Sequence, residues 1–174
     1  MAPDRDQFLK LVLENKKIIY KICHAYCRDG EDRKDLEQEV IVQLWRSADK
    51  YDERYRLSTW IYRVALNAAI SFWRREKTRR ERVSPLDREI IERVEDQGRP
   101  QEEADDVAAL HRFINQLDEL NRALMLLYLD DRPQQEIADI LGISRTNVAT
   151  KIGRIKERLR REFDAKAECT GAKE

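Results

Sequence analysis

Between Gln134 and Phe163 the chain reads QQEIADILGISRTNVATKIGRIKERLRREF, two apolar stripes of helical period held apart by one glycine. Ile137, Ala138 and Leu141 share one side of the first segment; Val148, Ile152, Ile155 and Leu159 share one side of the second. Spacings of three and four put each set on one face of an α-helix. Gly142 allows the tight turn, Ile143 plugs the corner, and Ser144 can cap the second helix. Ala138, Gly142 and Val148 thus stand where a helix-turn-helix needs a small residue, a turn residue and a core residue. The plain alternative, two amphipathic helices that happen to flank a glycine, has to meet all three constraints by chance. The outward face of the second helix carries Arg145, Thr146, Asn147, Ala149, Thr150, Lys151, Gly153 and Arg154. Small and polar groups suit base edges, and cations suit phosphates, so this face is a candidate for the major groove.

A second stretch, Leu57 to Arg80, reads LSTWIYRVALNAAISFWRREKTRR. Ser58-Thr59 offers a cap signal, and Trp60, Ile61, Val64, Ala68 and Phe72 make an apolar face. Tyr62, Arg63, Asn67 and Ser71 fall on the other side. The segment runs on into Trp73, Arg74, Arg75, Lys77, Arg79, Arg80 and Arg82. Rings and an amide followed by a cationic end suit base stacking, base-edge hydrogen bonding and phosphate neutralisation. A core helix with a solvated charged end fits the same pattern, which alone does not choose between the two.

The whole chain of 174 residues has zero formal net charge, so global attraction to a polyanion is not at issue. The charge is segregated instead. Asp29–Glu39 holds six acids against two bases, and Leu86–Asp106 nine against three; Ser144–Phe163 holds seven bases against two acids. Two basic blocks separated by acidic ones imply two contacts with nucleic acid and a surface for a protein partner. Five glycines, four prolines and no alternating apolar strands predict an all-α protein. No apolar run is long enough for a bilayer, and MAPDRDQF lacks a signal peptide's apolar stretch. With three cysteines and no disulfide framework, a reduced, cytoplasmic protein is expected, with no membrane insertion.

The remainder of the chain fits two helical modules. Asp6 to Arg28 is expected to form one first helix, with Phe8, Leu9, Val12, Ile19, Ile22, Cys23 and Tyr26 along its stripe and Gly30 as a left-handed cap. Cys23, His24 and Cys27 raise the question of a metal or redox site. Structural zinc wants four ligands, however, and only His111 and Cys169 remain, so packed thiols are the favoured reading and no cofactor is expected. In DRKDLEQEVIVQLWRSADKYD, Leu36, Val40, Ile41, Leu44, Trp45 and Ala48 are expected to be buried. The polar face of Asp35, Gln38, Glu39, Gln43 and Arg46 is either solvated or a docking face for another protein. Tyr51–Leu57 is a polar-aromatic loop. From Glu76 the composition turns charged, with Pro85, Gly98 and Pro100 and room for a short helix at Leu86–Val94. The expected organisation is a first module over residues 1–80, a charged linker over 81–106, a helix-turn-helix module over 107–164 and a flexible tail over 165–174.

DLEQEVIVQLW, then ADKYDERYRLSTWIYRVALNAAISFWRR, then the helix-turn-helix together resemble the extracytoplasmic-function (ECF) sigma factors of bacterial RNA polymerase, within the sigma-70 family. The resemblance runs from about Asp6 to Phe163. It implies a factor that binds core polymerase, recognises promoter DNA and promotes initiation by melting, with no small-molecule substrate and no catalysis of its own. By the same resemblance Asp35, Gln38, Glu39 and Trp45 would dock on polymerase. Tyr55, Arg56, Leu57 and Asn67 would capture a flipped minus-ten base, with Arg63, Ser71, Arg74 and Arg75 along the strand or duplex. Arg145, Thr146, Ala149, Thr150, Lys151, Gly153 and Arg154 would read the minus-thirty-five element, and Leu124, Leu127 and Tyr128 would lie near the polymerase flap. Two departures bear on this. Arg63-Val64 stands where housekeeping factors carry a tryptophan pair, and Ala149 where several relatives use arginine. An anti-sigma partner acting in trans is also implied. A stand-alone helix-turn-helix regulator is the rival; it accounts for residues after Asp106 and leaves the first module without a role.

Overall fold

The computed structural model describes residues 5–81 and 105–171. Among these, every regular element is a helix, and the chain divides into two compact units between Val107 and Ala108. The expected linker helix at Leu86–Val94 lies outside the described residues.

The first unit contains α1 (Arg5–Glu14), α2 (Lys16–Tyr26), α3 (Gly30–Arg46), a 3-10 turn (Ala48–Lys50) and α4 (Leu57–Glu81). The single first helix expected from the sequence is two. Asn15 interrupts it: its side-chain Nδ2 donates to the Leu11 carbonyl at 2.9 Å, a local bond that competes with helix continuation. Gly30 is not a left-handed cap either. It opens α3, and Asp29 before it is the N-cap, its Oδ2 accepting from the backbone N–H groups of Glu31 and Asp32. Those bonds hold the Asp29 carboxyl below its ordinary range.

α4 packs against both α2 and α3. Ile19, Ile22, Cys23 and Tyr26 of α2 and Leu36, Val40 and Leu44 of α3 are buried, and so are Thr59, Ile61, Tyr62, Ala65, Leu66, Ala68 and Ala69 of α4. Tyr62, expected on the polar side, is therefore in the core. A helix lodged between two neighbours buries a wider arc than one lying on a surface. Ser58-Thr59 sits inside the first turn instead of capping it, and the Trp60 N–H bonds back to the Arg56 carbonyl.

The second unit contains all but the first three residues of α5 (Asp105–Gln116), then α6 (Glu119–Leu129), α7 (Gln134–Leu141) and α8 (Arg145–Gly171). α6 is apolar nearly all round, and Ala123, Leu124, Met125, Leu126 and Leu127 are buried. α7 and α8 pack on it and on each other. Between them Gly142 takes φ 67, in the left-handed region, and the Ile143 N–H returns to the Ala138 carbonyl. Ser144 Oγ accepts from the Asn147 N–H, capping α8. Val148, Ile152 and Ile155 are buried beneath it. α8 continues to Gly171, past the tail expected from Ala165: DAKAE contains good helix formers and no breaker before Gly171.

One polar group is built into this second core. Arg122 is buried, and its guanidinium donates to the carbonyls of Asn115 (2.7 Å) and Leu117 (3.2 Å) at the end of α5. Those oxygens have no intrahelical partner available at a helix C-terminus. Arg122→Ala is expected to strand them and cost about 1–3 kcal/mol. Chemical denaturation of the full chain, followed by a signal from the second unit, reads this as a lowered midpoint.

Candidate functional site

In α4 the helical period decides what faces outward. With one arc committed to α2 and α3, Arg63, Asn67, Ser71 and Arg74 lie exposed at intervals of four, four and three, in a line along the helix. The loop before α4 comes back onto this line. Tyr55, 44% exposed, has the Arg63 guanidinium 5.9 Å from its ring centroid. Arg56 is exposed and Leu57 half-buried. The loop is internally braced: the Tyr55 N–H bonds to the Asp52 carbonyl, and the Asp52 carboxylate accepts from the Arg54 backbone and side chain. The Arg54 guanidinium holds the Asp52 carboxyl below its usual range. Further along α4, Lys77 lies 5.3 Å from the Trp73 ring centroid, so an aromatic face and a cation adjoin where the sequence turns basic.

Arg75 is placed differently. Its Nη2 lies 2.6 Å from Glu39 Oε2, and its guanidinium is also near the Phe72 ring. Glu39 Oε1 accepts from Gln43 Nε2. Both carboxylate oxygens are thus engaged within the unit. Two residues expected in separate roles, one at each surface, form one ion pair between α3 and α4.

The rest of the α3 face is more apolar than expected. Asp35 and Gln38 are exposed, as anticipated for a polar face. Trp45, expected both to be buried and to serve an interface, is 48% exposed, with its ring edge-on to Phe8 at 4.9 Å. Ile41, expected in the core, is exposed, and so is Val42. Leu36, Val40 and Leu44 already fill the side of α3 that meets α2 and α4. The clue in the sequence was the run VIV at 40–42: three consecutive apolar residues span about 200° of a helix, so they cannot all face one core.

On α8, Arg145, Thr146, Ala149, Thr150, Gly153 and Arg154 are exposed and Lys151 is half-buried. Thr150 Oγ1 donates to the Thr146 carbonyl at 2.9 Å, so its proton is engaged within the helix while its oxygen can still accept. A Cβ added at Gly153 would meet nothing within 4 Å. Two residues placed near an external contact by resemblance do not qualify: Leu124 and Leu127 are fully buried. The exposed apolar side chain at that end of α6 is Leu129, beside half-buried Tyr128. The Tyr128 hydroxyl and ring are both contacted by Lys156.

Cys23 and Cys27 are buried, and burial, with carboxylates of Glu37 and Asp32 respectively, pushes both thiols up to about 12. Metal binding and redox sensing use the thiolate, which this environment opposes. His24 is exposed, and its Nδ1 lies 2.9 Å from Arg33 Nη1. Burial of part of the ring and that guanidinium lower its affinity for a proton. Among the described residues no group of three or more His, Cys, Asp or Glu side chains is placed to hold a metal ion.

Comparison with known proteins covers both units. The family profile for sigma-70 region 2 matches residues 11–79, and that for sigma-70 region 4 matches residues 108–159. The chain is 28% identical to the ECF RNA polymerase sigma factor SigW of Bacillus subtilis, over 92% of this chain and 90% of that one. It is 25% identical to the RNA polymerase sigma-H factor of Pseudomonas aeruginosa, over 88% and 84%. Among solved structures it resembles CnrH, determined in complex with the cytosolic domain of CnrY, with a TM-score of 0.66 and 21% identity over 94% and 92% of the two chains. It also resembles the sigma factor RpoE of Bartonella quintana, determined with the anti-sigma factor NepR, with a TM-score of 0.67 and 15% identity over 90% and 96%. These last two likenesses concern the fold.

The thiols give a direct check. An ordinary cysteine alkylates faster as pH climbs toward its value of 9.0. In the native protein Cys23 and Cys27 are expected to resist iodoacetamide across pH 7–9 and to react at once in denaturant; site-resolved mass spectrometry distinguishes them from Cys169. Folding favours their protonated form, so this contribution to stability is whole below pH 9 and lost as pH rises toward about 12.

Proposed function

The chain belongs to the extracytoplasmic-function group of the sigma-70 family, an RNA polymerase sigma factor, and from that premise we propose how its residues divide the work. The single observation that carries the assignment is the exposed line Arg63–Asn67–Ser71–Arg74 with the Tyr55 loop folded back against its start.

In this reading the first unit engages the non-template strand of the minus-ten element. Unstacking one base costs a few kcal/mol. Tyr55, Arg56, Leu57 and Asn67 offer a base a ring, an apolar floor and an amide that can both donate and accept. Arg63, Ser71 and Arg74 then lie along the phosphates, and each neutralised phosphate releases counterions. Arg75 is a weaker contributor, because Glu39 already offsets its charge.

The polymerase-docking face is α3, through Asp35, Gln38 and Trp45. Exposed Ile41 and Val42 join these by position, since 38, 41, 42 and 45 fall on one side of the helix. Glu39 leaves that set; its carboxylate serves the α3–α4 link. The second unit reads the minus-thirty-five element with Arg145, Thr146, Ala149, Thr150, Lys151, Gly153 and Arg154. Leu129 takes the place of Leu124 and Leu127 beside Tyr128 among the groups available for a flap contact.

RNA synthesis belongs to the polymerase, so this chain needs no catalytic group or cofactor. Its place of action is wherever bacterial polymerase works, the cytoplasm; no helix among the described residues is long and apolar enough to cross a membrane. Relatives of known structure were determined with CnrY's cytosolic domain and with the anti-sigma factor NepR, and the same class of partner is inferred here.

Reconstituted holoenzyme, made with the full chain and bacterial core polymerase, should initiate specific transcripts from a subset of genomic promoters. Asn67→Ala is expected to reduce open-complex formation at least tenfold, with core binding intact. Asp35→Ala combined with Gln38→Ala is expected to do the reverse, weakening core binding with the melting temperature unchanged. Equal loss of both activities in either variant would remove the assignment.

Gly153→Ala separates fold from function on α8. It should stabilise the helix by about 0.5–1 kcal/mol, because glycine costs that much in a helix interior and the new methyl meets nothing. The same methyl should weaken holoenzyme binding to the minus-thirty-five duplex. Arg154→Ala should weaken it too and flatten its salt dependence by about one phosphate contact.

A further inference from the structure

Tyr51 was not among the residues expected at either surface, yet its side chain spans the Tyr51–Leu57 loop. Its hydroxyl donates to the Tyr55 carbonyl at 2.8 Å, from the loop's entry to its exit. Its ring lies 5.4 Å from the Trp60 ring, in the first turn of α4. Within the loop Asp52 holds Arg54 and Tyr55, and at its exit the Arg56 carbonyl accepts from the Trp60 N–H. The Tyr51 side chain thus links the Tyr55 backbone to the first turn of the helix that carries Arg63 and Asn67. Tyr51 itself is half-buried, whereas Tyr55 is exposed with Arg63 at its ring.

We propose that Tyr51 is a positioning residue for minus-ten base recognition, fixing the Tyr55 backbone so that the Tyr55 ring and the Asn67 amide face one captured base at a set separation. The proposal rests on the base-capture reading above. Its physical basis is preorganisation. A loop that is already braced loses little conformational freedom when a base enters, and it holds a fixed shape against which a wrong base fits poorly. With its carbonyl held by Tyr51, the Tyr55 backbone is fixed while its exposed ring remains available to the base. Loosening the brace should therefore spend its effect on discrimination between bases more than on binding as such.

The test uses full-length protein in reconstituted holoenzyme, on a promoter fragment taken from the strongest transcript the wild type initiates. Each minus-ten position is permuted through the four bases, and the best-to-worst ratio of transcript yields is measured. Tyr51→Phe keeps the ring against Trp60 and removes only the donor. It is expected to shrink that ratio about fivefold at one minus-ten position, the effect of losing one ordinary hydrogen bond. Permutations of the minus-thirty-five element and the melting temperature should be unchanged. A ratio equal to wild type at every minus-ten position overturns the proposal, and so does a uniform drop for all four bases, which marks a merely structural role. Tyr55→Ala distinguishes the two levels. If it abolishes discrimination while Tyr51→Phe does not, the positioning role alone fails. If it too leaves discrimination intact, the base-capture reading fails and the role of Tyr51 falls with it.

Discussion

The lodging of α4 between α2 and α3 is the constraint from which the first unit's surface follows. Seven residues from Thr59 to Ala69 are buried to satisfy two neighbours at once, and what remains outside is narrow. Because side chains leave a helix every 100°, the choice of buried residues fixes the exposed ones with no further freedom. Arg63, Asn67, Ser71 and Arg74 line up because Tyr62, Ala65, Leu66 and Ala69 do not. The alanines at 65, 68 and 69 are fully buried against these neighbours, so the outer line is backed by packed core. Rigid backing is what a site needs if it is to hold an unstacked base in one geometry.

Much of this was legible in the chain. The helix-turn-helix could be read because Ala138, Gly142 and Val148 each have a separate steric reason, and Gly142 adopts the left-handed turn its position demands. Elsewhere the reading failed where a local polar bond or a second neighbour overrode periodicity. Asn15 breaks the first helix by a side-chain bond that no apolar pattern announces. Tyr62 is buried because α4 has two partners, and pattern alone counts one. Trp45 stays outside because Leu36, Val40 and Leu44 already fill the inward arc of α3. The break at Asp130-Asp131-Arg132-Pro133 was legible, though its geometry was not: Asp131, just past α6, takes φ 53, where glycine is usual. The bonds that close this corner, Arg132 N–H to the Leu127 carbonyl and Asp131 N–H to that of Tyr128, use backbone groups alone and leave no mark on side-chain spacing.

The Glu39–Arg75 pair joins the surface proposed for polymerase to the surface proposed for DNA. With Arg75 well exposed, the pair is screened and contributes within the 0–1 kcal/mol typical of such contacts. It is a bias on the local field and not a lock. That scale suits a protein of zero net charge whose basic segments are set among acidic ones. With no net charge to draw the whole chain onto DNA, the proposed contacts depend on local basic segments and on the polymerase that carries the factor.

Gly142 and Gly153 show how a residue's reason can be assigned to the fold or to a partner. Both lie in the helix-turn-helix, but only Gly153, inside α8, forgoes the stability that alanine gives a helix. At Gly142 the backbone itself requires it, since φ 67 strains any side chain with a Cβ. At Gly153 nothing within the protein does: the backbone is helical, the residue is exposed, and the space a methyl would occupy is open. A position that gives up helix stability without any internal return is best explained by something outside the chain that must come close. On the outward face of α8, between Thr150 and Arg154, the proposal above gives that place to the edge of a duplex.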